Sequence, residues 1–259
     1  MKYVIGIDMG SAYSKGIIMV GDRIQSSFEC PSGSDFQLAA KRIRTELLSQ
    51  EGLEPKDIAY TMATGYGAKQ VPFADDTVTD ISCHARGIHF LYPSVGTAVV
   101  VGDLSSKAFR IDANGNPVKF LQSRKCAGGS GGILRVIAKV LHLKVEEMAG
   151  MPLTADNPVE FNTGCAVFAE SEAISRIAEG VPKEDLLAGI YRALAAQVHS
   201  LAERLQIDGG YAVTGGGAEN RGFAQAMNEI SGTTMKVPEE PRMTAALGAA
   251  LLAGDRIGG

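Results

Sequence analysis

The feature that most constrains the fold is a pattern of strand, turn and meander that occurs twice in the chain. The first copy, "YVIGIDMGSAYSKGIIMVGDRIQSSFE", has an apolar strand ending at Asp8, a small-residue turn and two further strands. The second copy, "TAVVVGDLSSKAFRIDANGNPVKFLQS", has an apolar strand predicted to end at Asp103, then another turn and two more strands. These aspartates are 95 positions apart, and such a repeat predicts a duplicated α/β fold with two lobes.

Amphipathic segments between and after the two patterns predict helices that cover the two sheets. The predicted helices span residues 36–48, 133–141, 167–178, 183–205, a stretch ending near 230, and 244–253. We expect a first lobe of residues 1–95, completed by a C-terminal helix in 241–259, and a second lobe of residues 96–240. Two facing lobes would leave a nucleotide cleft between them.

Composition narrows the classes of partner. A net charge of −4 gives no electrostatic basis for nucleic acid binding, and no apolar run approaches the length that crosses a bilayer. The N-terminus lacks the apolar core and cleavage site of a signal peptide, so we expect a cytoplasmic protein without membrane contact. The four cysteines form no CxxC pair, which argues against a local zinc finger or a thioredoxin motif.

The two small-residue turns have the composition of phosphate-binding nests, in which backbone N–H groups surround a concavity. Asp8 and Asp103 would lie on either side of one Mg²⁺ ion. A single copy would be compatible with an ordinary hairpin, and Lys15 either reaches a phosphate or is solvated. The candidate phosphate contacts are Gly10, Ser11, Ser14, Lys15, Ser105, Ser106 and Lys107.

A third glycine-rich segment, "TGGGAEN", follows a predicted strand at residues 211–214. Its small residues leave space for a purine or ribose against the backbone. A dinucleotide fingerprint is a rival interpretation, but the third glycine of GxGxxG is missing and the segment lies near the C-terminus. The chain has no Walker-type P-loop sequence. The candidate nucleotide contacts here are Gly215, Gly216, Gly217 and Asn220.

In this order, the three segments resemble the phosphate and adenosine motifs of the actin, hexokinase and Hsp70 superfamily. Nearly the whole chain is similar to the ATP-dependent activators of 2-hydroxyacyl-CoA dehydratases and the related benzoyl-CoA reductase ATPase subunits. The resemblance is carried by "GIDMGSAYSKG", "ATGYG", "DISCHARG", "KCAGGSGG", "CAVFAESEAIS", "TGGGAEN" and "ALGAALLA". It implies an actin-like (ribonuclease H-like) fold, binding of ATP or ADP with Mg²⁺, and catalytic roles for Asp8 and Asp103.

Cys126 and Cys165 form the most specific part of the resemblance. Each precedes a predicted helix, where free N–H groups and the helix dipole favour a thiolate. Two thiolates do not complete a four-cysteine site, so a symmetric dimer is the economical arrangement. By resemblance, the site is one 4Fe-4S cluster per homodimer, although zinc on the same thiolates stays open. Ferredoxin or flavodoxin as electron donor, and an iron-sulfur dehydratase or reductase component as partner, are further implications.

The second turn departs from the family pattern. That pattern is Asp-Ile-Gly-Gly-Gln-Asp, whereas a reading that starts at Asp103 gives Asp-Leu-Ser-Ser-Lys-Ala. The resemblance implies an ATP hydrolase that passes single low-potential electrons to a partner iron-sulfur enzyme. Because this turn is altered, we expect slow or altered hydrolysis. One alternative is a sugar or small-molecule kinase of the same superfamily. Another is a nucleotide-binding cluster protein with little turnover.

Overall fold

The computed structural model describes residues 2–123, 127–149, 151, 155, 157–161 and 166–258. The chain divides into two compact units, each with its own sheet. The first unit contains residues 1–93, 112–117 and 243–259, and the second contains 94–111 and 118–242.

The first unit is a five-stranded sheet with helices. Its strand order is β3-β2-β1-β4-β5, with β1 antiparallel to β2 and parallel to β4. The strands are β1 (Tyr3–Met9), β2 (Tyr13–Val20), β3 (Arg23–Pro31), β4 (Ile58–Thr64) and β5 (Asp76–Thr77). The helices are α1 (Phe36–Glu51), α2 (Asp80–Leu91) and α8, which spans Thr244–Gly258 near the far end of the chain.

Local signals explain where these helices begin and end. The Asp35 side chain accepts the backbone N–H of Leu38 at the start of α1, and Gly52 ends that helix at a φ of +64°. On the other face of the sheet, α8 packs tightly on β1, because a Cβ at Gly6 would lie 2.2 Å from the carbonyl oxygen of Ala246. Small residues at this crossing allow the helix and the strand to approach closely.

The second unit repeats the plan with a four-stranded sheet. Its order is β8-β7-β6-β9, with β6 antiparallel to β7 and parallel to β9. The strands are β6 (Val95–Val101), β7 (Ser106–Ile111), β8 (Pro117–Gln122) and β9 (Gly210–Thr214). The helices are α3 (Gly132–Val140), α4 (Val145–Ala149), α5 (Ala166–Ala178), α6 (Lys183–Glu203) and α7 (Arg221–Ser231). Helix α6 contributes the largest fully buried side chain, Tyr191, to the core of this unit.

The predicted α/β class and two sheets are confirmed, and each predicted helix is present with shifts of a few residues at its ends. The strand predicted to end at Asp103 ends at Val101, which places Asp103 in the turn. The predicted lobes stay a prediction, and the compact units differ from them mainly at 112–117, which cluster with the first unit. Among the described residues, no helix combines the length and hydropathy needed to span a membrane.

Candidate functional site

The first turn, Gly10 to Tyr13, places a buried ion pair beneath it. Asp8 and Lys15 lie opposite each other on β1 and β2, and the Lys15 ammonium donates to the Asp8 carboxylate at 2.9 Å. Both side chains are about nine-tenths buried. The interpretation of Lys15 as a solvated lysine is therefore wrong, because its charge is held against Asp8.

A glycine after β4 makes room for the Asp8 carboxylate. Gly65, in the "ATGYG" segment, has a φ of +88°, and a Cβ there would lie 2.3 Å from Asp8 Oδ1. The backbone N–H of Gly67 donates to the carbonyl of Met9 at 3.0 Å and ties this segment to the end of β1. Lys15 thus holds the carboxylate, and the missing side chain of Gly65 leaves the space that Oδ1 occupies.

Serines brace the first turn from below. The hydroxyls of Ser14 and Ser32 are 2.8 Å apart, and Ser32 donates to the carbonyl of Gly10 at 2.6 Å. Ser14 is fully buried, so the structure gives it a bracing position under the turn, whereas Gly10 and Ser11 are half-buried on the turn itself. These two residues are the better placed of the predicted contacts to offer backbone N–H groups to an anion.

The second turn, Gly102 to Ser105, is tied to the segment before α3. Gly131 N–H donates to the carbonyl of Gly102 at 2.8 Å, and the Ser130 hydroxyl donates to the carbonyl of Asp103 at 2.8 Å. Arg135 on α3 completes the connection with an ion pair of 2.8 Å to Asp103 Oδ1. Backbone, hydroxyl and guanidinium contacts therefore join this turn to the first turn of α3.

The strand register shows that Asp103 is not the counterpart of Asp8. Asp8 lies opposite Lys15 on its hairpin, and Val100 lies opposite Lys107 on the second. Both hairpins have four-residue loops, 10–13 and 102–105, so the offset between equivalent residues is 92 and not 95. The predicted equivalence is corrected: Asp103 takes the turn position of Ser11, and Val100 takes the strand position of Asp8.

The parallel neighbours give the same alignment independently. Asp8 pairs with Thr64 and Val100 pairs with Thr214, and each threonine is followed by a glycine at a φ of +88°. A Cβ at Gly215 would lie 3.1 Å from a Val100 methyl group, where Gly65 meets the Asp8 carboxylate. The two threonines also make equivalent hydrogen bonds. The Thr64 hydroxyl donates to the carbonyl of Val78 and the Thr214 hydroxyl donates to the carbonyl of Pro241, each at 2.8 Å.

Of the three glycines in the predicted adenosine segment, two are buried and one is exposed. Gly217 packs on β6, because a Cβ there would lie 2.4 Å from a Val101 methyl group, while Gly216 is exposed. Asn220 is buried; its Oδ1 accepts the N–H of Phe223 to cap α7, and its Nδ2 donates to the Tyr191 hydroxyl. The side chain of Asn220 therefore caps α7, and its contact with a nucleotide stays a prediction.

The remaining predicted contacts lie along the second hairpin. Ser105 accepts from Gln122 at 3.2 Å, the Ser106 side chain is fully buried, and Lys107 is half-buried on β7. Lys107 occupies the register position of Lys15. It is thus the second-unit counterpart of the lysine that pairs with Asp8.

The predicted cluster ligands Cys126 and Cys165 lie outside the described residues. The other two cysteines are free, buried thiols on the first unit. Burial raises the pKa of Cys30, and it raises the pKa of Cys83 to about 12. Among the described residues, no group of three or more potential metal ligands is present.

A sequence profile of the BadF/BadG/BcrA/BcrD ATPase family matches residues 5–253. The chain belongs to this family. It is 37% identical over 254 residues to the 2-hydroxyisocaproyl-CoA dehydratase activator of Clostridioides difficile, covering 98% of this chain and 95% of that one. The family match disfavours the sugar-kinase alternative.

Two solved structures agree with this assignment of the chain to the BadF/BadG/BcrA/BcrD ATPases. Component A of the Acidaminococcus fermentans (R)-2-hydroxyglutaryl-CoA dehydratase superposes with a TM-score of 0.96 at 35% identity, covering both chains completely. The activator of the Clostridium difficile 2-hydroxyisocaproyl-CoA dehydratase, with bound ADPNP, gives a TM-score of 0.93 at 37% identity, covering 98% of this chain and 95% of that one. The actin-like ATPase fold is therefore confirmed.

Sequence reasoning missed Val100 and Arg135. A signal for Val100 was present, because Gly-x-x-x-Ser-Lys occurs at Gly10–Lys15 and again at Gly102–Lys107. Aligning these two segments gives the offset of 92 directly. Arg135 had no such signal, since its partner is 32 positions away in the sequence.

Proposed function

We propose that this chain is the ATP-dependent activator of a partner iron-sulfur dehydratase or reductase, acting as a homodimer that holds one 4Fe-4S cluster. The observation that carries the proposal is the family membership over residues 5–253, and the two glycine-initiated hairpin turns support it. A 2-hydroxyacyl-CoA dehydratase is the proposed partner class, because related activators are named for such enzymes. We also propose a cytoplasmic location.

In the proposed nucleotide site, Asp8 is the metal-side carboxylate for Mg²⁺. Lys15 holds that carboxylate, for which Gly65 leaves space, so the carboxylate is positioned before the ion binds. Gly10 and Ser11 would supply N–H groups to phosphate oxygens, and the open backbone at Gly216 is the proposed contact for the nucleoside. The bound ADPNP of the Clostridium difficile activator supports a nucleotide ligand for this chain.

The second turn offers a route from nucleotide to thiolates. Gly102 and Asp103 are hydrogen-bonded to Gly131 and Ser130, and Cys126 lies four positions before Ser130 in the sequence. A movement of the turn on nucleotide binding would pull on this segment and on α3 through Arg135. This short connection supports coupling between ATP binding and the cysteine segment.

Cys126 and Cys165 are the proposed cluster ligands, as the resemblance to the activators implies. The other two thiols, Cys30 and Cys83, are buried in the first unit, and burial raises the pKa of each. When bound, the cluster would supply one-electron transfer to the partner enzyme, with ferredoxin or flavodoxin as the proposed donor. Val167, Phe168 and Ile174 are exposed on α5, directly after Cys165 in the sequence, and are the proposed dimer contact.

The test is anaerobic purification followed by iron, sulfide and zinc analysis of three proteins: wild type, Cys126→Ala and the matched control Cys30→Ala. We expect about two iron and two sulfide per chain in wild type and in the control, and less than a tenth of that in Cys126→Ala. Zinc in place of iron would contradict the electron-carrier proposal. So would a wild-type protein that stays monomeric in multi-angle light scattering.

A further inference from the structure

The two hairpins differ at the one strand position that carries a carboxylate in the first unit. Asp8 and Val100 have equivalent neighbours in their own units. Each lies opposite a lysine on the next strand and beside a threonine on the parallel strand, and each threonine is followed by a glycine with a positive φ. Val100 is 5% exposed, so its methyl groups fill the place that the carboxylate would take. This hairpin, fully described from 95 to 111, therefore has no acidic side chain at the end of its first strand.

We propose that Val100 limits ATP hydrolysis by this chain. The protein would then bind Mg²⁺–ATP and keep it unhydrolysed far longer than a protein with a carboxylate at both equivalent strand positions. The inference rests on the nucleotide binding of the proposed function and concerns its chemical step. Most bound ATP would therefore leave by nucleotide exchange before it is hydrolysed.

The step affected is attack by water on the terminal phosphate. The water oxygen forms a bond to the γ-phosphorus while the bond from that phosphorus to the β–γ bridging oxygen breaks. The bridging oxygen keeps the electron pair and leaves as part of ADP, and the proton lost by the water passes to the phosphate product. A carboxylate at position 100 would accept a hydrogen bond from the water and orient it, whereas the valine methyl groups accept none.

Asp103 does not replace the missing group. It lies three positions further on, in the turn, and its Oδ1 is engaged by Arg135 at 2.8 Å. Its backbone carbonyl is engaged as well, by the Ser130 hydroxyl. The contacts of Asp103 thus point to anchoring of the turn on α3, which is a different task from holding water.

The surroundings of Val100 are prepared for a carboxylate. Lys107 lies opposite, as Lys15 lies opposite Asp8, and the glycine at 215 leaves the same open side that Gly65 gives to Asp8. A Val100→Asp substitution would thus place a carboxylate opposite Lys107, as Asp8 lies opposite Lys15 in the first unit. Restored hydrolysis is the expected gain.

The first experiment uses the unaltered homodimer. The protein is mixed with γ-³²P-labelled ATP and Mg²⁺, desalted, and its bound nucleotide is identified over time. We expect retained ATP, with turnover at least a hundredfold below the ~10 s⁻¹ that is common for enzymes. Turnover near ~10 s⁻¹ would overturn the inference about Val100 while leaving the proposed function intact. If no nucleotide is retained and none binds in equilibrium dialysis, the proposed function fails and the inference with it.

The second experiment compares Val100→Asp with Val100→Leu, which has a similar shape but accepts no hydrogen bond from water. Val100→Asp should hydrolyse ATP at least about tenfold faster than wild type, and Val100→Leu should stay within about threefold of wild type. Equal rates for the two variants would overturn the inference. If Val100→Asp does not fold by circular dichroism, the retention experiment on the unaltered protein decides alone.

Discussion

The two hairpin turns have the same backbone frame, but the carboxylate near each turn is paired with a different kind of partner. Each is a four-residue loop that begins with glycine and is followed by Ser-Lys on the next strand. In the first turn the carboxylate of Asp8 is paired within its own hairpin, seven positions from Lys15, and the pair is buried. In the second turn the carboxylate of Asp103 is paired with Arg135 on α3, 32 positions away, and that guanidinium is half-exposed.

This difference suggests different roles for the two carboxylates: one is held within its own hairpin, and the other connects its turn to α3. A local, buried partner holds Asp8 independently of the rest of the chain, which suits the metal-side role proposed for it. A distant, solvent-facing partner can be gained or lost at little cost, which suits a turn whose movement is to be felt by a helix. The pair at Arg135 borders a cavity of about 340 Å³, so its guanidinium has room to swing away.

The largest expected effect comes from removing the local counter-ion. Lys15→Met would leave the Asp8 carboxylate buried without its partner, so we expect the free energy of unfolding of the first unit to fall by about 3–5 kcal/mol. Urea titration, followed by hydrogen exchange of β1 and β2, measures this. The double variant Asp8→Asn/Lys15→Met should recover part of the loss, because the buried charge is gone. A loss below ~1 kcal/mol for Lys15→Met would show that the pair is far more hydrated than its burial indicates.

A second pair of variants tests the glycines that follow the parallel strands. Gly65→Ala and Gly215→Ala each place a side chain at a φ of +88° and near a backbone carbonyl, so each should cost about 2–3 kcal/mol of stability. Only Gly65→Ala also meets a carboxylate, that of Asp8. We therefore expect Mg²⁺-dependent binding of ADP, measured by calorimetry, to weaken in Gly65→Ala more than in Gly215→Ala. Equal weakening would contradict the assignment of Asp8 as the metal-side residue.

The smallest expected effect is at the second counter-ion. Arg135→Met should lower the stability of the second unit by at most ~1 kcal/mol, since Arg135 is half-exposed, and the loss should shrink in 1 M salt. Lys139→Met, one turn further along α3, is the control for loss of a positive charge from the same helix. In hydrogen exchange, Arg135→Met should also open residues 130–134 more than the control does. An identical exchange pattern in the two variants would remove Arg135 from the connection between turn and helix.

Much of the fold follows from the sequence because its signals are local and repeated. Alternating and helical periodicity predict the strands and helices, and the duplicated meander predicts two sheets. The register of the second hairpin is harder to predict, because Asp103 has the residue type of a strand-end carboxylate and Val100 has no functional side chain. Loop length decides the register, and the repeated Gly-x-x-x-Ser-Lys carries that information.

Other parts of the site depend on contacts that sequence distance conceals. The ion pair of Arg135 forms because α3 begins beside the second turn, and nothing in "GILRVIAKV" by itself distinguishes Arg135 from a solvated residue. Asn220 shows the reverse case, since a residue in a glycine-rich segment that predicts a ligand is engaged in capping α7. Both cases arise from tertiary packing.

The position of α8 has a consequence for how the protein is made. The first unit begins with the first strand of the chain, yet Gly6 of that strand is shaped to receive Ala246 and Ala250. During translation, one apolar face of β1 to β4 therefore stays exposed until α8 has been made. The second unit is the first whose core can form completely. Chaperone contacts during synthesis should accordingly gather on the earliest strands and disappear only when the last helix emerges.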